Sequence, residues 1–283
     1  MLTVTAYAKI NLLLDVVAKR PDGYHELSMV MQSVSLADTL LIKKAETLQV
    51  TTNKPITARP EDNLVYKAIV LLQKDFPVVT GAHIHIEKCI PMAAGLAGGS
   101  ADCAGALVGL NEVFNLGLTR KQLEKYANLL GSDIAFCLHG GTQLCTGRGE
   151  VLNPLPPLPK MYGLILKPPF SIATPLVYKS IPQGYQGAVA QHKLDTYEDG
   201  EISVYSLGNN LSNDLYAFAC QVAPDEAAYV DLVKRTQPAA CQMSGSGPSI
   251  FAFYHTVTQR DAALLALSEH EIYAITTVAQ GIM

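Results

Sequence analysis

The sequence predicts an α+β fold in two parts, and three observations carry that prediction. Through about residue 52 apolar and polar residues alternate, as they do in strands packed on one face. Beyond that point helical runs and short strands interleave, the pattern of an α+β sandwich with one helical layer. Between them the segment NPLPPLPK, residues 153–160, crowds four prolines into a stretch that supports neither helix nor ladder. With 283 residues the chain has room for two parts, placed at residues 1–153 and 160–283.

A hydrophobic content of 49% supports a substantial core. No apolar run approaches the roughly 18 residues of a membrane span, and the start lacks the basic-then-apolar pattern of a secretory signal, so a cytoplasmic protein is expected. The net charge of −4 argues against nucleic-acid or acidic-membrane partners, which call for a basic face. Any anionic ligand is therefore held locally. Lys9, Lys19, Arg20, Lys88 and Arg148 are candidates for that local charge, and each is equally a solvated surface cation. The six cysteines show no CxxC spacing, so neither disulfides nor zinc are expected. No heptad is present, which leaves monomer and homodimer both open.

Leu2, Val4 and Ala6 alternate with polar residues and lead into an apolar run from Ile10 to Val17, so the chain opens as a strand. Lys9 and Asn11 interrupt it; two residues apart, they share a face, which is either an open sheet face or a site. Pro21, Asp22 and Gly23 spell a turn that delivers Tyr24 and His25. Strands are expected at Ser28–Val34, Thr39–Lys43 and Leu48–Thr51, with Pro55 and Pro60 as punctuation. Asp62 then caps a helix over Leu64–Asp75. Ala82–Glu87 alternates cleanly; its His83, His85 and Glu87 fit the open face of a half-buried strand better than a metal site.

The segment Pro91–Ala106, PMAAGLAGGSADCAGA, has very little side-chain bulk. Gly95, Gly98 and Gly99 are free to adopt positive φ and to leave N–H groups open to an anion. From Ser100 a helical run extends to Phe114, whose first turn also favours phosphate. A tight turn feeding a helix packed through Ala101, Ala104 and Gly105 is the plainer alternative. Neither GxxxxGK[ST], GxGxxG nor the protein-kinase elements occur, so a phosphate loop here belongs to another class. Thr119 and Gln122 form a capping box for a helix to Leu130, with Gly131 at the C′ position. Asp133 then starts another helix, where the macrodipole stabilises its charge, and simple capping by Ser132 or Asp133 is the plainer alternative.

In the second part, Met161–Lys167 reads as a strand, Thr174–Lys179 as a short helix and Gln183–Gly200 as a polar loop. Helices follow at Asn213–Gln221 and Asp225–Thr236. A second Gly/Ser turn, CQMSGSGPSIFAFY, has Gly245 and Gly247 as its bare positions, and a helix over Thr258–His270 and a strand over Tyr273–Val278 complete the chain.

PMAAGLAGGSA resembles the phosphate-binding motif of the GHMP kinases. The likeness runs along nearly the whole chain: AYAKINLLLDVVAKRPDGYHEL, then the loop, then LGSDIAFCLHGG and MSGSGPSIFAF, stand in that family's order. The pairing of AKINL with RPDGYHEL is similar to the branch that phosphorylates a cytidine-diphosphate-linked methylerythritol in non-mevalonate isoprenoid biosynthesis. The resemblance implies a two-domain fold, an N-terminal ribosomal protein S5 domain 2-like part and a C-terminal ferredoxin-like α/β sandwich, with substrate in the cleft between them. It implies ATP as co-substrate, Mg2+, and transfer of the γ-phosphate to the tertiary 2-hydroxyl, yielding the 2-phosphate and ADP.

Carried over by position, the resemblance makes Asp133 the acceptor of the hydroxyl proton and Lys9 the cation beside that oxygen. Phosphate would lie on Pro91, Met92, Ala93, Ala94, Gly95, Leu96, Ala97, Gly98, Gly99, Ser100 and Ala101, with Ser100 the hydroxyl nearest magnesium. Asn63 and Lys88 fall where the family meets adenosine. Asn11, Tyr24 and His25 fall on the polyol and cytosine, and Tyr178, in ATPLVY, stacks on the base. The chain departs from many members at Ala93, Ala94, Ala97 and Ala101: backbone binding of phosphate survives these alanines, whereas a two-hydroxyl magnesium site does not. A homoserine- or mevalonate-type kinase and a catalytically silent ligand sensor are the alternatives. Tyr24 and His25 speak against the first, and the presence of both Lys9 and Asp133 against the second.

Overall fold

Two long strands, β1 (Leu2–Lys19) and β2 (His25–Lys44), form the hairpin on which the molecule is built. The computed structural model describes residues 1–54, 59–187 and 191–282. Pro55, and the part of the expected Gln183–Gly200 loop at 188–190, lie outside the described residues.

The strands expected at Ser28–Val34 and Thr39–Lys43 are one strand. β1 pairs with it on both sides of a bulge at residues 34–36, and its two halves face different neighbours on the other edge. Residues 39–44 pair with β4 (Ala82–Glu87), which also pairs with β3 (Gln49–Thr52). Residues 27–32 pair with β5 (Thr142–Gly147), which pairs with β6 (Val151–Pro154). The other edge of β1 takes up the short β8 (Ser212–Asn213) in parallel, from the second part of the chain. The β1–β2 register shifts between Tyr7 and Lys9 and again between Asn11 and Leu13. Such bulges re-aim side chains, here around the lysine and the asparagine.

Helices α1 (Leu64–Asp75), α2 (Gly98–Val113), α3 (Arg120–Leu130) and α4 (Ser132–His139) cover one face of this sheet. α1 is capped by Asn63, whose Oδ1 accepts from the Val65 N–H at 2.8 Å, and not by Asp62 as expected. Asp62 lies one step earlier, in a 3-10 turn, paired with Arg59. The small residues of α2 let it lie close on the hairpin: a Cβ at Gly109 would stand 2.2 Å from Ile42 Cδ1, and one at Gly105 3.2 Å from Leu40. The capping box of α3 forms as expected, with Thr119 N–H donating to Gln122 Oε1 at 2.9 Å. Gly131, at φ 171°, is extended and leads directly into α4 without the left-handed cap its position suggested.

The second sheet has the order β11–β7–β10–β9, with β7 at Tyr162–Lys167, β9 at Ala240–Met243, β10 at Ile250–Tyr254 and β11 at Glu271–Thr276. α5 (Thr174–Ser180), α6 (Gln191–Glu198), α7 (Leu215–Val222), α8 (Glu226–Lys234) and α9 (Val257–Ala266) complete the layer. α6 replaces part of the expected loop because Leu194 and Tyr197, three apart, give a polar segment an anchored face. α9 begins after Thr256, which accepts from Gln259 N–H, and ends at Ala266, so it is shifted and shorter than expected.

A continuous buried cluster runs from Val4 in the first sheet to Ile282. A smaller cluster lies between the second sheet and α8 and α9. Residues 276–282 return to the first part: Val278 N–H donates to Ser33 O at 2.9 Å, Gln32 Nε2 donates to Val278 O at 2.8 Å, and Arg120 donates to Ile282 O. Among the described residues no helix is long and apolar enough to cross a membrane.

Candidate active site

The glycine-rich segment after β4 and the Gly/Ser turn after β9 meet face to face. Gly95 has φ +74°, and a Cβ there would lie 2.2 Å from Ser244 O, so the position excludes any side chain both by angle and by space. Ser249 N–H donates to Ala94 O at 3.3 Å and Ser244 Oγ to Gly95 O at 3.0 Å, which binds the two turns together. Asn213 supports the second turn from below, donating through Nδ2 to Met243 O and Gly245 O, both at 2.9 Å.

Gly98 and Gly99 do not take the positive φ expected of them; they form the start of α2. Ala93 (φ +50°) and Ala97 (φ +57°) turn the chain instead. Gly98 is needed for space: a Cβ would stand 3.0 Å from Ile90 Cγ2 and 3.3 Å from Lys88 Nζ. The first-turn N–H groups of Gly98, Gly99 and Ser100 have no carbonyl one turn back, which leaves them for an anion. The N–H of Ala101 is used inside the helix by Ala97 O, at 2.9 Å.

These turns line a cavity of about 1130 Å³ between the two parts of the chain. Pro91 to Ser100, Lys9, Asn11, Tyr24, His25, Lys88, Asp133 and Tyr178 all line it. Of the residues singled out in the sequence, Ala101, Asn63 and Arg20 do not: the first is fully buried behind the loop, the second is the cap of α1, where its neighbour Leu64 reaches the wall, and the third pairs with Asp22 and Glu26. Lys9 is 4% exposed; its Nζ donates to Asn11 Oδ1 at 2.7 Å and to Gly95 O at 3.0 Å, and lies 3.9 Å from Asp133 Oδ2. The pair expected to share one face of β1 is thus joined directly. Asp133 stands in the first turn of α4, half-buried, with its carboxylate open to the cavity.

Lys88 is held differently from Lys9. Its Nζ donates to Asp102 Oδ2 at 2.7 Å and to Asp38 Oδ2, all three groups being buried. Burial opposes its charge, but Asp102 and Asp38 outweigh it and keep the ammonium pKa above its ordinary value. Burial raises the Asp102 carboxyl above the usual carboxylate range, with Lys88 acting against the shift and Asp38 reinforcing it. Asp38 Oδ1 accepts from Cys89 N–H at 2.6 Å and Ile90 N–H at 2.8 Å. The triad therefore ties β2, the entry of the loop and α2 into one unit.

At the opposite end of the cavity the rings of His25 and Tyr178 stack, 5.3 Å apart at 27°. Burial, and then the charge of Lys19, lower the His25 pKa below its ordinary value, so the imidazole is neutral at pH 7. Burial, and then Asp133, raise that of the Tyr178 phenol. Tyr24 projects with 57% of its surface exposed, and the Arg148 guanidinium lies 4.9 Å over its ring. Sequence reasoning gave no role to Asp38, Asp102, Thr174 or Ser246. The last two join across the cavity wall, hydroxyl to hydroxyl at 2.7 Å. Asp102, Thr174 and Ser246 lie within segments the sequence already marks, whereas Asp38 comes from a distant strand with no local signal.

Fold and site together define the GHMP class of small-molecule kinases, and a model of the GHMP kinase N-terminal domain matches residues 63–141. The chain is 39% identical, over 99% of its length and 97% of the relative's, to the 4-diphosphocytidyl-2-C-methyl-D-erythritol kinase of Listeria monocytogenes serotype 4b. It is 40% identical to that of Brevibacillus brevis, covering 96% of this chain and 91% of the relative. A crystal structure of a 4-(cytidine 5'-diphospho)-2C-methyl-D-erythritol kinase superimposes with a TM-score of 0.82 at 29% identity, covering 98% of this chain and 99% of that one. The chain belongs to the 4-diphosphocytidyl-2-C-methyl-D-erythritol kinase family.

Proposed function

We propose that this enzyme phosphorylates the 2-hydroxyl of 4-diphosphocytidyl-2-C-methyl-D-erythritol with ATP, as the names of its relatives indicate. The observation that carries the chemistry is the pairing of Lys9 with Asp133 beside the glycine loop. At 3.9 Å the ammonium and carboxylate are too far apart for a direct hydrogen bond, and a hydroxyl oxygen fits against both. Asp133 then accepts the hydroxyl proton while Lys9 stabilises the negative charge growing on oxygen. Lys9 cannot drift away, because Asn11 and the Gly95 carbonyl hold it. Its second contact also fixes the nucleophile's position relative to the phosphate loop, and phosphoryl transfer depends mainly on such alignment.

Phosphate is assigned to the loop and the first turn of α2. Lys88 is assigned to holding that loop, since two carboxylates already neutralise its charge. Magnesium fits the site as a substrate-borne ion. Among the described residues no group of three or more His, Cys, Asp or Glu is disposed to hold a metal. Magnesium in kinases takes most of its oxygens from phosphate and water, and Ser100 offers one protein hydroxyl at the cavity wall. When bound, the ion neutralises phosphate charge. The neutral His25, Tyr178 and Tyr24 supply an aromatic wall with a hydrogen-bonding edge for the cytosine, and Asn11 serves the polyol. An enzyme that uses ATP on a small phosphorylated substrate belongs in the cytoplasm.

The test is ADP release by the purified protein with ATP, magnesium and, separately, the cytidyl substrate, homoserine, mevalonate and galactose. Turnover with the cytidyl compound alone is expected. Activity on another of the four would overturn the substrate, and ATP binding without turnover on any would favour a ligand sensor.

A further inference from the structure

Arg148 occupies the tip of the β5–β6 turn, between Gly147 (φ +72°) and Gly149 (φ +110°). A Cβ at position 149 would lie 3.0 Å from Met29 Cε and 3.8 Å from Asp133 Oδ1, so the turn lies close to the reaction centre, and its φ of +110° favours glycine there. One contact ties it to the hairpin and two stiffen it from within. Gly147 N–H donates to Glu26 Oε1 at 3.1 Å, Arg148 N–H donates to Glu150 Oε2 at 2.6 Å, and Arg148 Nε lies 3.6 Å from Glu150 Oε1. The β1–β2 turn is braced from its own side: Arg20 pairs with Asp22 and with Glu26, and Asp22 Oδ1 accepts from Tyr24 N–H at 3.1 Å. Glu26 thus joins both turns, through Arg20 with one oxygen and Gly147 with the other.

The backbone of Tyr24 is fixed by this network, but its ring is not. It stands at the cavity mouth, and among the described residues no ring and no cation other than Arg148 stacks on it. A guanidinium over an aromatic face is attracted by the ring quadrupole and covers that face. We propose that Arg148 is a positioning residue for the cytidyl substrate: it holds the Tyr24 ring by one face and leaves the other to the base. It acts through Tyr24 and not by contact with the reacting atoms. This inference rests on the reading of Tyr24 as part of the base-binding wall.

A double-mutant cycle tests it, with melting temperature checking that each variant is folded. Arg148→Met, which keeps the length and removes the charge, should raise the KM for the cytidyl substrate about five- to tenfold, with the KM for ATP within about twofold of the parent. Arg148→Lys should fall between the two, since it restores a cation. Tyr24→Leu should raise the substrate KM at least as much, and adding Arg148→Met to it should change KM by less than about twofold. Additive effects would overturn the inference, as would an unchanged substrate KM in Arg148→Met. An unchanged substrate KM in Tyr24→Leu would overturn the base-wall reading and this inference with it, an outcome distinguishable from one in which Tyr24 matters and Arg148 does not.

Discussion

Asp133 and Gly95 make opposite demands, one for a particular functional group and the other for none. Asp133→Ala should lower kcat by at least about 100-fold while leaving the affinity for ATP nearly intact, because a general base contributes to the chemical step and not to nucleotide binding. Near-parental kcat in that variant would remove Asp133 from the mechanism. Gly95→Ala should instead raise the KM for ATP, by about tenfold or more, since its methyl group would stand 2.2 Å from Ser244 O and push the loop off its support. Titration of ATP against the purified variant checks it. Gly95 is marked in the sequence by a run of small side chains, whereas Asp133 reads locally as a cap and gains its expected role only from the family resemblance. The sequence did not announce that alanines 93 and 97 would carry positive φ, because nothing local distinguishes an alanine that turns the chain from one that packs. Nor did it reveal that Lys88 is ion-paired to Asp38, which lies fifty residues away on β2.

Boundaries of strands and helices were legible where one short-range rule governed them. The Thr119–Gln122 box and the alternation of Ala82–Glu87 are of this kind. β2 continues through residues 34–36, which have no partner in the β1 register, because both of its halves pair with the single strand β1, and no local pattern in the sequence displays that partner. α1 was given the wrong cap because Asp62 and Asn63 are both good caps and only the chain path from the preceding 3-10 turn decides between them. Replacing Asn63 by Ala should therefore lower stability by about 1 kcal/mol, while Asp62→Ala, which removes an exposed ion pair, should cost less than about 0.5 kcal/mol. Urea unfolding of the two variants separates these outcomes. α1 has the expected bounds at both ends, whereas α2 starts two residues before Ser100, and its tightest approach to β2, at Gly109, has no signal beside the glycines of the loop.

At the scale of the whole molecule, Glu226 is a charge-bearing group in a position that penalises charge. Glu226 is fully buried at the start of α8, and neither carboxylate oxygen has a hydrogen-bond partner among the described residues. Burial, partly offset by Lys167, pushes its carboxyl up to about 8 from an ordinary 4.5. Between those two values the folded chain holds a proton that the unfolded chain releases. The contribution of Glu226 to stability is therefore complete below about pH 4.5, declines as the pH rises toward 8 and is constant above. Glu226→Gln should flatten the fall in the urea midpoint between pH 6 and pH 8; an undiminished fall would exclude this residue as its source. The division placed at 153 and 160 leads to a further expectation. A protease site inserted between Pro157 and Leu158 should yield two fragments that elute together, because the buried cluster and the returning residues 276–282 bridge them.

That return has a meaning for how the chain is made. Synthesis delivers the β1–β2 hairpin early, yet β8 and Val278, which hydrogen-bond it at Leu13–Leu14 and at Ser33, follow only in the second part of the chain. A nascent chain of some 150 residues therefore presents an open strand edge, the kind of surface on which partly made proteins stick to one another. Translation has to outrun that hazard or be chaperoned through it. The cleft in which the two parts meet is correspondingly a late product, assembled after almost every residue that lines it has been waiting in place.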